Sequence, residues 1–211
     1  MLRVERSPKR VRAVRGGVVV VDSAAPRLVW ERQYPTYYFP VAQVRVDLVP
    51  PGALHVPDEP ELAGLVRVAW DAVDDWFEED EPVYVHARDP YTRVDVLESS
   101  RHVVVEVGAT RVAESRRPKV LFETGLPARF YLPLVDVRMD LLRPSATTTR
   151  CPYKGTATYW DVVVDGVAHR DAVWCYRSPL PESQKVAGLV CFYPERTRLV
   201  VDGVDQSTVD K

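Results

Sequence analysis

Two parts of this chain match each other at an offset of 92 to 93 residues, and that match limits the fold more than any other feature. Pro26-Arg27-Leu28-Val29-Trp30-Glu31 aligns with Pro118-Lys119-Val120-Leu121-Phe122-Glu123. Pro35-Thr36-Tyr37-Tyr38-Phe39 aligns with Pro127-Ala128-Arg129-Phe130-Tyr131. After a slip of one residue, Val44-Arg45-Val46-Asp47-Leu48 aligns with Val137-Arg138-Met139-Asp140-Leu141. Ser7 faces Ser99, and Val11 faces Val103, in the lead-in. Two copies are too few for a solenoid, so the expectation is two similar small domains, 1–95 and 96–211.

Within each copy the local signals are strands. Val11–Val14 and Val18–Asp22 flank Gly16-Gly17, and Val103–Val107 and Arg111–Glu114 flank Gly108-Ala109. Short β-branched runs around such pairs read as hairpins. Asp165-Gly166, between Ala157–Val164 and Val167–Ala168, is a third hairpin signal. Two stretches carry helical spacing. In Glu61–Glu79, Leu62, Leu65, Val66, Trp70, Val73, Trp76 and Phe77 recur every three or four residues. Leu180–Val190 follows a Pro-rich start. The expected class is therefore mainly β with minor α: two sandwich- or barrel-like domains from an internal duplication, each with a packed helix. The polar tail 202–211 is expected to fray.

Composition narrows the function classes. The net charge is −2, so no global basic field draws nucleic acid, which ranks last among partners. Arg outnumbers Lys 23 to 5, and Ile and Asn are absent, a skew that a GC-rich coding bias produces. Each lysine is more informative against that background. Cys151, Cys175 and Cys191 form no Cys-x-x-Cys pair, which argues against a zinc ribbon and for a reduced, cytoplasmic chain. No apolar run is long enough to span a membrane, and no signal peptide is visible.

The stretch from Cys151 to Trp160 concentrates reactive groups: Cys-Pro-Tyr-Lys-Gly-Thr-Ala-Thr-Tyr-Trp. With Ala172-Val173-Trp174-Cys175-Tyr176 and Pro179-Leu180-Pro181-Glu182 it resembles domain-of-unknown-function family 427, in a tandem form. Phe122-Glu123-Thr124-Gly125-Leu126-Pro127 and Asp136-Val137-Arg138-Met139-Asp140-Leu141 fit the same family, as do Trp76–Glu81 and His86–Tyr91 in the first copy. The resemblance implies a β-rich, largely bacterial protein without a settled activity, sometimes labelled nucleotidyltransferase-like. The Gly-Ser turn and paired aspartates of polymerase-type chemistry are absent from this chain. The first copy lacks the Cys-Pro-Tyr-Lys-Gly run, which places the expected site in the second.

Each candidate has a bland reading beside the sharp one. Lys154 offers a point charge for a phosphate or carboxylate, or an amine for imine chemistry; otherwise it is a turn lysine. Cys151 would gain thiolate character from a nearby cation, with His169 as the nearest candidate base; otherwise it is a small buried hydrophobe. Cys175 and Cys191 read as core. Glu123, repeated as Glu31, is either the carboxylate partner of Lys154 or a brace at a strand end. Arg138 with Asp140 reads as a ligand contact or a same-face ion pair. Tyr159, Trp160, Trp174 and Tyr176 would line a flat-ligand pocket, although strand alternation sends about half of them into the core. His86, Arg88, Asp89, Tyr91, Arg93 and Asp95 form a polar cluster without metal-ligand spacing, and Glu78-Glu79-Asp80-Glu81 reads as a solvated helix end. No metal is expected, and the residues name no cofactor. The expected function is binding of a small molecule or nucleotide around Lys154, with catalysis left open. The alternative is a non-catalytic interaction module. Oligomeric state stays open.

Overall fold

The computed structural model describes residues 2–206, which form two compact units dividing between Asp89 and Pro90. In both, the regular structure is mainly antiparallel strands joined by loops and 3-10 turns, and neither contains a closed sheet. The first unit holds β1 (Arg3–Arg6), β2 (Val11–Arg15), β3 (Val18–Ser23), β4 (Arg27–Trp30), β5 (Thr36–Pro40), β6 (Leu54–His55), β7 (Leu65–Val68), β8 (Asp75–Glu78) and β9 (Glu81–Val83). They pair as one sheet in the order β1-β4-β5-β7-β6 and another in the order β3-β2-β8-β9. Val11 and Ala13 of β2, Phe39 of β5, Val66 of β7 and Trp76 of β8 share one buried cluster, so the two sheets enclose a common core.

The second unit holds β10 (Val94–Glu98), β11 (Val103–Val107), β12 (Thr110–Ser115), β13 (Lys119–Glu123), β14 (Arg129–Leu132), β15 (Leu142–Cys151), β16 (Gly155–Val164), β17 (Val167–Tyr176), β18 (Val190–Phe192), β19 (Arg198–Val201) and β20 (Val204–Asp205). Its sheets run β10-β13-β14-β18-β17-β16-β15 and β12-β11-β19-β20. The strand order β1-β4-β5-β7 of the first unit recurs as β10-β13-β14-β18. Single hydrogen bonds recur too: Ser7 N to Pro26 O and Ser99 N to Pro118 O are both 3.0 Å, and Arg45 N to Val20 O and Arg138 N to Val112 O are both 2.8 Å. The units differ beyond β7 and β18. There the first unit adds only the two-residue β6, whereas the second adds three strands of ten residues. The β16–β17 hairpin closes through Asp165 and Gly166 at φ 50° and 77°, the left-handed pair a two-residue I′ turn requires.

Neither expected helix forms. Glu61–Glu79 divides into a 3-10 turn (Pro60–Leu62), β7, a second 3-10 turn (Trp70–Ala72) and β8. Gly64, at φ 79°, breaks the run, and then Val66 and Val68 alternate inward around Arg67. Two period-two segments set end to end mimic three- and four-residue spacing, and β-branched and aromatic residues favour the strand. Glu78 is therefore not on a solvated helix end. It is buried at the end of β8, where its carboxylate accepts from the Tyr37 hydroxyl and the Lys9 ammonium. Leu180–Val190 holds only a six-residue 3-10 turn, Pro181–Val186, before β18 begins. The tail also differs from expectation as far as residue 206. β20 pairs with β19, and Asp202 accepts from Arg101 Nε at 2.7 Å. Residues 207–211 lie outside the described residues. No helix among the described residues is long and apolar enough to cross a membrane.

Phe192 is 2% exposed in the second unit's core. Phe192→Ala should cost ~3–5 kcal/mol in chemical denaturation. Val135→Ala, at a side chain 81% exposed, should stay within ~0.5 kcal/mol of the native protein.

Candidate functional site

The seven-stranded sheet is apolar on both faces. One face joins the core shared with the second sheet through Val120, Phe130, Val173, Cys175 and Phe192. Strand alternation then turns Leu121, Tyr131, Trp174, Tyr176 and Cys191 to the other face, where Ala157 and Tyr159 of β16 join them. Val96 of the edge strand β10 also lies on that face, which Val186 of the 3-10 turn covers in part. It is rich in hydroxyls. Trp174 Nε1 donates to the Tyr131 hydroxyl at 3.1 Å, and the Thr149 and Tyr159 hydroxyls lie 2.8 Å apart. The Trp174 and Tyr193 rings are 4.2 Å apart, with the Arg129 guanidinium 5.6 Å from the Trp174 ring.

Lys154 stands at one margin of this face. It occupies the turn between β15 and β16, which closes where Cys151 pairs with Gly155. Gly155 is at φ 92°, and the Leu180 amide donates to the Lys154 carbonyl at 3.2 Å, so the following loop fixes the turn. The Lys154 ammonium pairs with the Glu123 carboxylate at the end of β13. The two side chains are only 12% and 9% exposed. Removing charges from water costs several kcal/mol per ion, so the pair holds only because each partner neutralises the other.

The other expected residues sort by strand parity. Tyr159, Trp174 and Tyr176 share the outer face with the ion pair, and Cys151 is close enough to Tyr176 to bear on its ionisation. Trp160 turns the other way. Next to Tyr159 in β16 and opposite Val173, it packs its ring against the shared core, with Arg177 6.0 Å from the ring centroid. Arg138 does not reach this face. Its backbone amide bonds to Val112 of β12, and its guanidinium grips Asp140 at 2.6 Å, holding that carboxyl below its usual range. His169 pairs with Val162, seven residues along β16 from Gly155, or about 23 Å at strand rise, so it is not the base of Cys151. Cys175 and Cys191 are buried, and burial pushes both thiols up.

In the first unit Glu31 accepts from the Tyr38 hydroxyl, and burial pushes that phenol up to about 12. The polar cluster divides into local contacts: His86 stacks on Tyr34, Trp30 Nε1 donates to Asp89 at 2.9 Å, and Arg93 pairs with Asp95 at 2.9 Å. The ring-rich outer face itself escapes sequence reasoning in part. Tyr131 and Tyr193 belong to it, and the signal was present in the alternation Phe130-Tyr131 and Phe192-Tyr193 around strands of known parity. The described residues bring no three potential metal ligands together.

Burial raises the phenols of Tyr131 and Tyr176 far above their ordinary value, with Glu123 adding to both, and burial with a bond to Tyr159 does the same for Tyr193. At physiological pH they are neutral O–H donors, not bases.

Fold and site together define a two-unit antiparallel β protein with a ring-lined outer sheet face. The chain belongs to the family described as domain of unknown function (DUF427), whose pattern matches residues 3–60 and 95–203. No curated protein matches it significantly.

Lys154→Ala strands a buried carboxylate and should cost about 3–5 kcal/mol in urea or guanidinium unfolding. The paired Glu123→Leu/Lys154→Met variant should recover most of that loss. Alkali should unfold the protein through its tyrosines. Unfolded phenols ionise near pH ~10 whereas the buried ones stay neutral, so stability is complete below that pH and falls above it. Tyrosinate absorbance from Tyr131 and Tyr176 should appear together with loss of near-ultraviolet circular dichroism, and ionisation before unfolding would contradict the burial assigned to them.

Proposed function

We propose that the outer face of the seven-stranded sheet binds a small molecule or nucleotide at the Glu123–Lys154 pair. The observation that carries this reading is the pair itself, withdrawn from water beside Tyr176, Tyr159 and Trp174. An ion pair of that kind stabilises a fold poorly compared with apolar packing. Its use lies in its exchangeability: an anionic group can take the ammonium from Glu123, while a ring lies against the aromatic residues. Of the catalytic candidates, Lys154 and Glu123 occupy each other, and Cys151 has no histidine in reach, so the reading is one of binding. The repeated strand order and repeated hydrogen bonds support an internal duplication in which the first unit lost, or never gained, the long hairpin. Three free cysteines fit a cytoplasmic setting.

A second reading, an interaction module, is favoured by exposed apolar side chains around Arg138. Leu134, Val135 and Met139 are 41%, 81% and 41% exposed. Size-exclusion chromatography with light scattering of Val135→Glu separates it: a change in assembly state supports this reading.

Thermal shift against nucleotides, sugar phosphates and carboxylates tests the first reading, because a ligand at 100 times its Kd adds ~2.7 kcal/mol. A shift seen in the native protein and lost in Glu123→Leu/Lys154→Met, which keeps the packing, is the expected result. A shift that survives in that variant, or none with any compound, refutes it.

A further inference from the structure

The first unit has a cavity of its own. It encloses about 250 Å³ and is lined by the β4–β5 loop, by Arg67 of β7, by Trp70, and by the segment through His86. This volume is below the ~300–1,000 Å³ of drug-sized pockets, which limits an occupant to one ring and its substituent.

The lining is unbalanced in charge. Arg32 and Arg67 stand against the single carboxylate of Glu31, and that carboxylate already accepts from Tyr38. Arg67 is held close to the same phenol from β7. Its Nε is buried and has no hydrogen-bond partner among the described residues. Arg12, Arg27 and Arg88 also carry an unpartnered buried N–H, so what sets Arg67 apart is that it lines a cavity with room for an acceptor. Arg32 is exposed on the cavity rim and forms no ion pair with a described carboxylate. A guanidinium suits the planar oxygens of a carboxylate or the oxygens of a phosphate, and this cavity is lined by two.

The remaining walls combine aromatic rings with Pro35, Thr36, Val68, Val85 and Ala87. Tyr34 stacks on His86 at 4.0 Å and 14°, and Trp70 stacks on Trp76 at 4.8 Å and 17°. Each stacked pair is stiff and places aromatic surface on the cavity. In strand register Glu31 and Tyr38 hold the places of Glu123 and Tyr131, so the one-residue slip between the halves falls before β5 rather than after it, and Arg67 on β7 bears on Tyr38.

We propose that this cavity is a second ligand site, separate from the one at Lys154, that takes a small aromatic oxyanion. The anionic group accepts from Arg67 and Arg32, and the ring lies against Trp70 and Tyr34.

The test titrates the full chain with benzoate, phenyl phosphate and inorganic phosphate, following tryptophan fluorescence and heat of binding. Saturable binding of benzoate or phenyl phosphate is expected, and which of the two binds tighter distinguishes a carboxylate from a phosphate ligand. Arg67→Met should weaken it by about tenfold or more, the loss of one charge-assisted contact. Arg32→Ala, at an exposed position, should weaken it by a smaller factor and decides the matter if Arg67→Met does not fold. Glu123→Leu/Lys154→Met should bind as the native protein does. Three results overturn the proposal: no saturable binding of either aromatic, undiminished binding in the arginine variant that folds, or loss of binding in the Glu123→Leu/Lys154→Met variant. Inorganic phosphate binding as tightly as phenyl phosphate overturns the aromatic class.

Discussion

A sheet that is apolar on both faces must be covered twice. In the second unit one face is buried by the β12-β11-β19-β20 sheet, which completes the core around Val105, Phe130 and Phe192. The other face has no second sheet among the described residues. Val186 of the 3-10 turn, Leu189 and Tyr193 pack onto it, and the face itself is a layer of tyrosines and Trp174 with Val96 of the edge strand β10. Phenols and indole suit that position because their rings bury area while their polar atoms still find partners. The same requirement explains the long hairpin. Strands β15 to β17 widen the sheet, and their turn carries Lys154 to the end of β13, where Glu123 waits.

The ion pair ties two distant parts of the same sheet together. It joins the turn before β16 to β13, four strands away in the sheet order β13-β14-β18-β17-β16. Apolar packing at this point would hold the chain as well. What a charge pair adds is a polar centre in a ring-lined surface, with neutral phenol donors beside it. The first unit meets the same geometric problem with Tyr38 donating to Glu31 and Arg67 closing from β7. Two units with one strand order thus treat the equivalent glutamate differently: Glu31 accepts from a phenol, and Glu123 pairs with a lysine.

The β character, the hairpins at Gly16-Gly17 and Asp165-Gly166, and the likeness of the two halves could be read from residue types, because turns and β-branched runs are local signals. The pairing of Glu123 with Lys154 was visible only as a possibility, since 31 residues separate the two and strand order alone brings them together. Helix spacing in Glu61–Glu79 misled because two short strands around Gly64 and Trp70 reproduce it. Trp160 lies on the inner face by plain alternation with Tyr159, as strand parity requires of neighbours, so the two could never have lined one pocket. Arg67 was overlooked because it looked like one more polar position on a helix, whereas in a strand it shares the outer face with Tyr38.

The chain has five lysines, so a lysine-labelled NMR spectrum resolves Lys154 from Lys9, Lys119, Lys185 and Lys211. Following that spectrum while adding the compound that best stabilises the protein tests most directly whether the Glu123–Lys154 pair is a binding site. The account predicts that the Lys154 signal moves and saturates with the binding curve while the other four stay in place. A saturating ligand that leaves Lys154 unmoved would contradict it and leave the pair as a brace of the sheet edge.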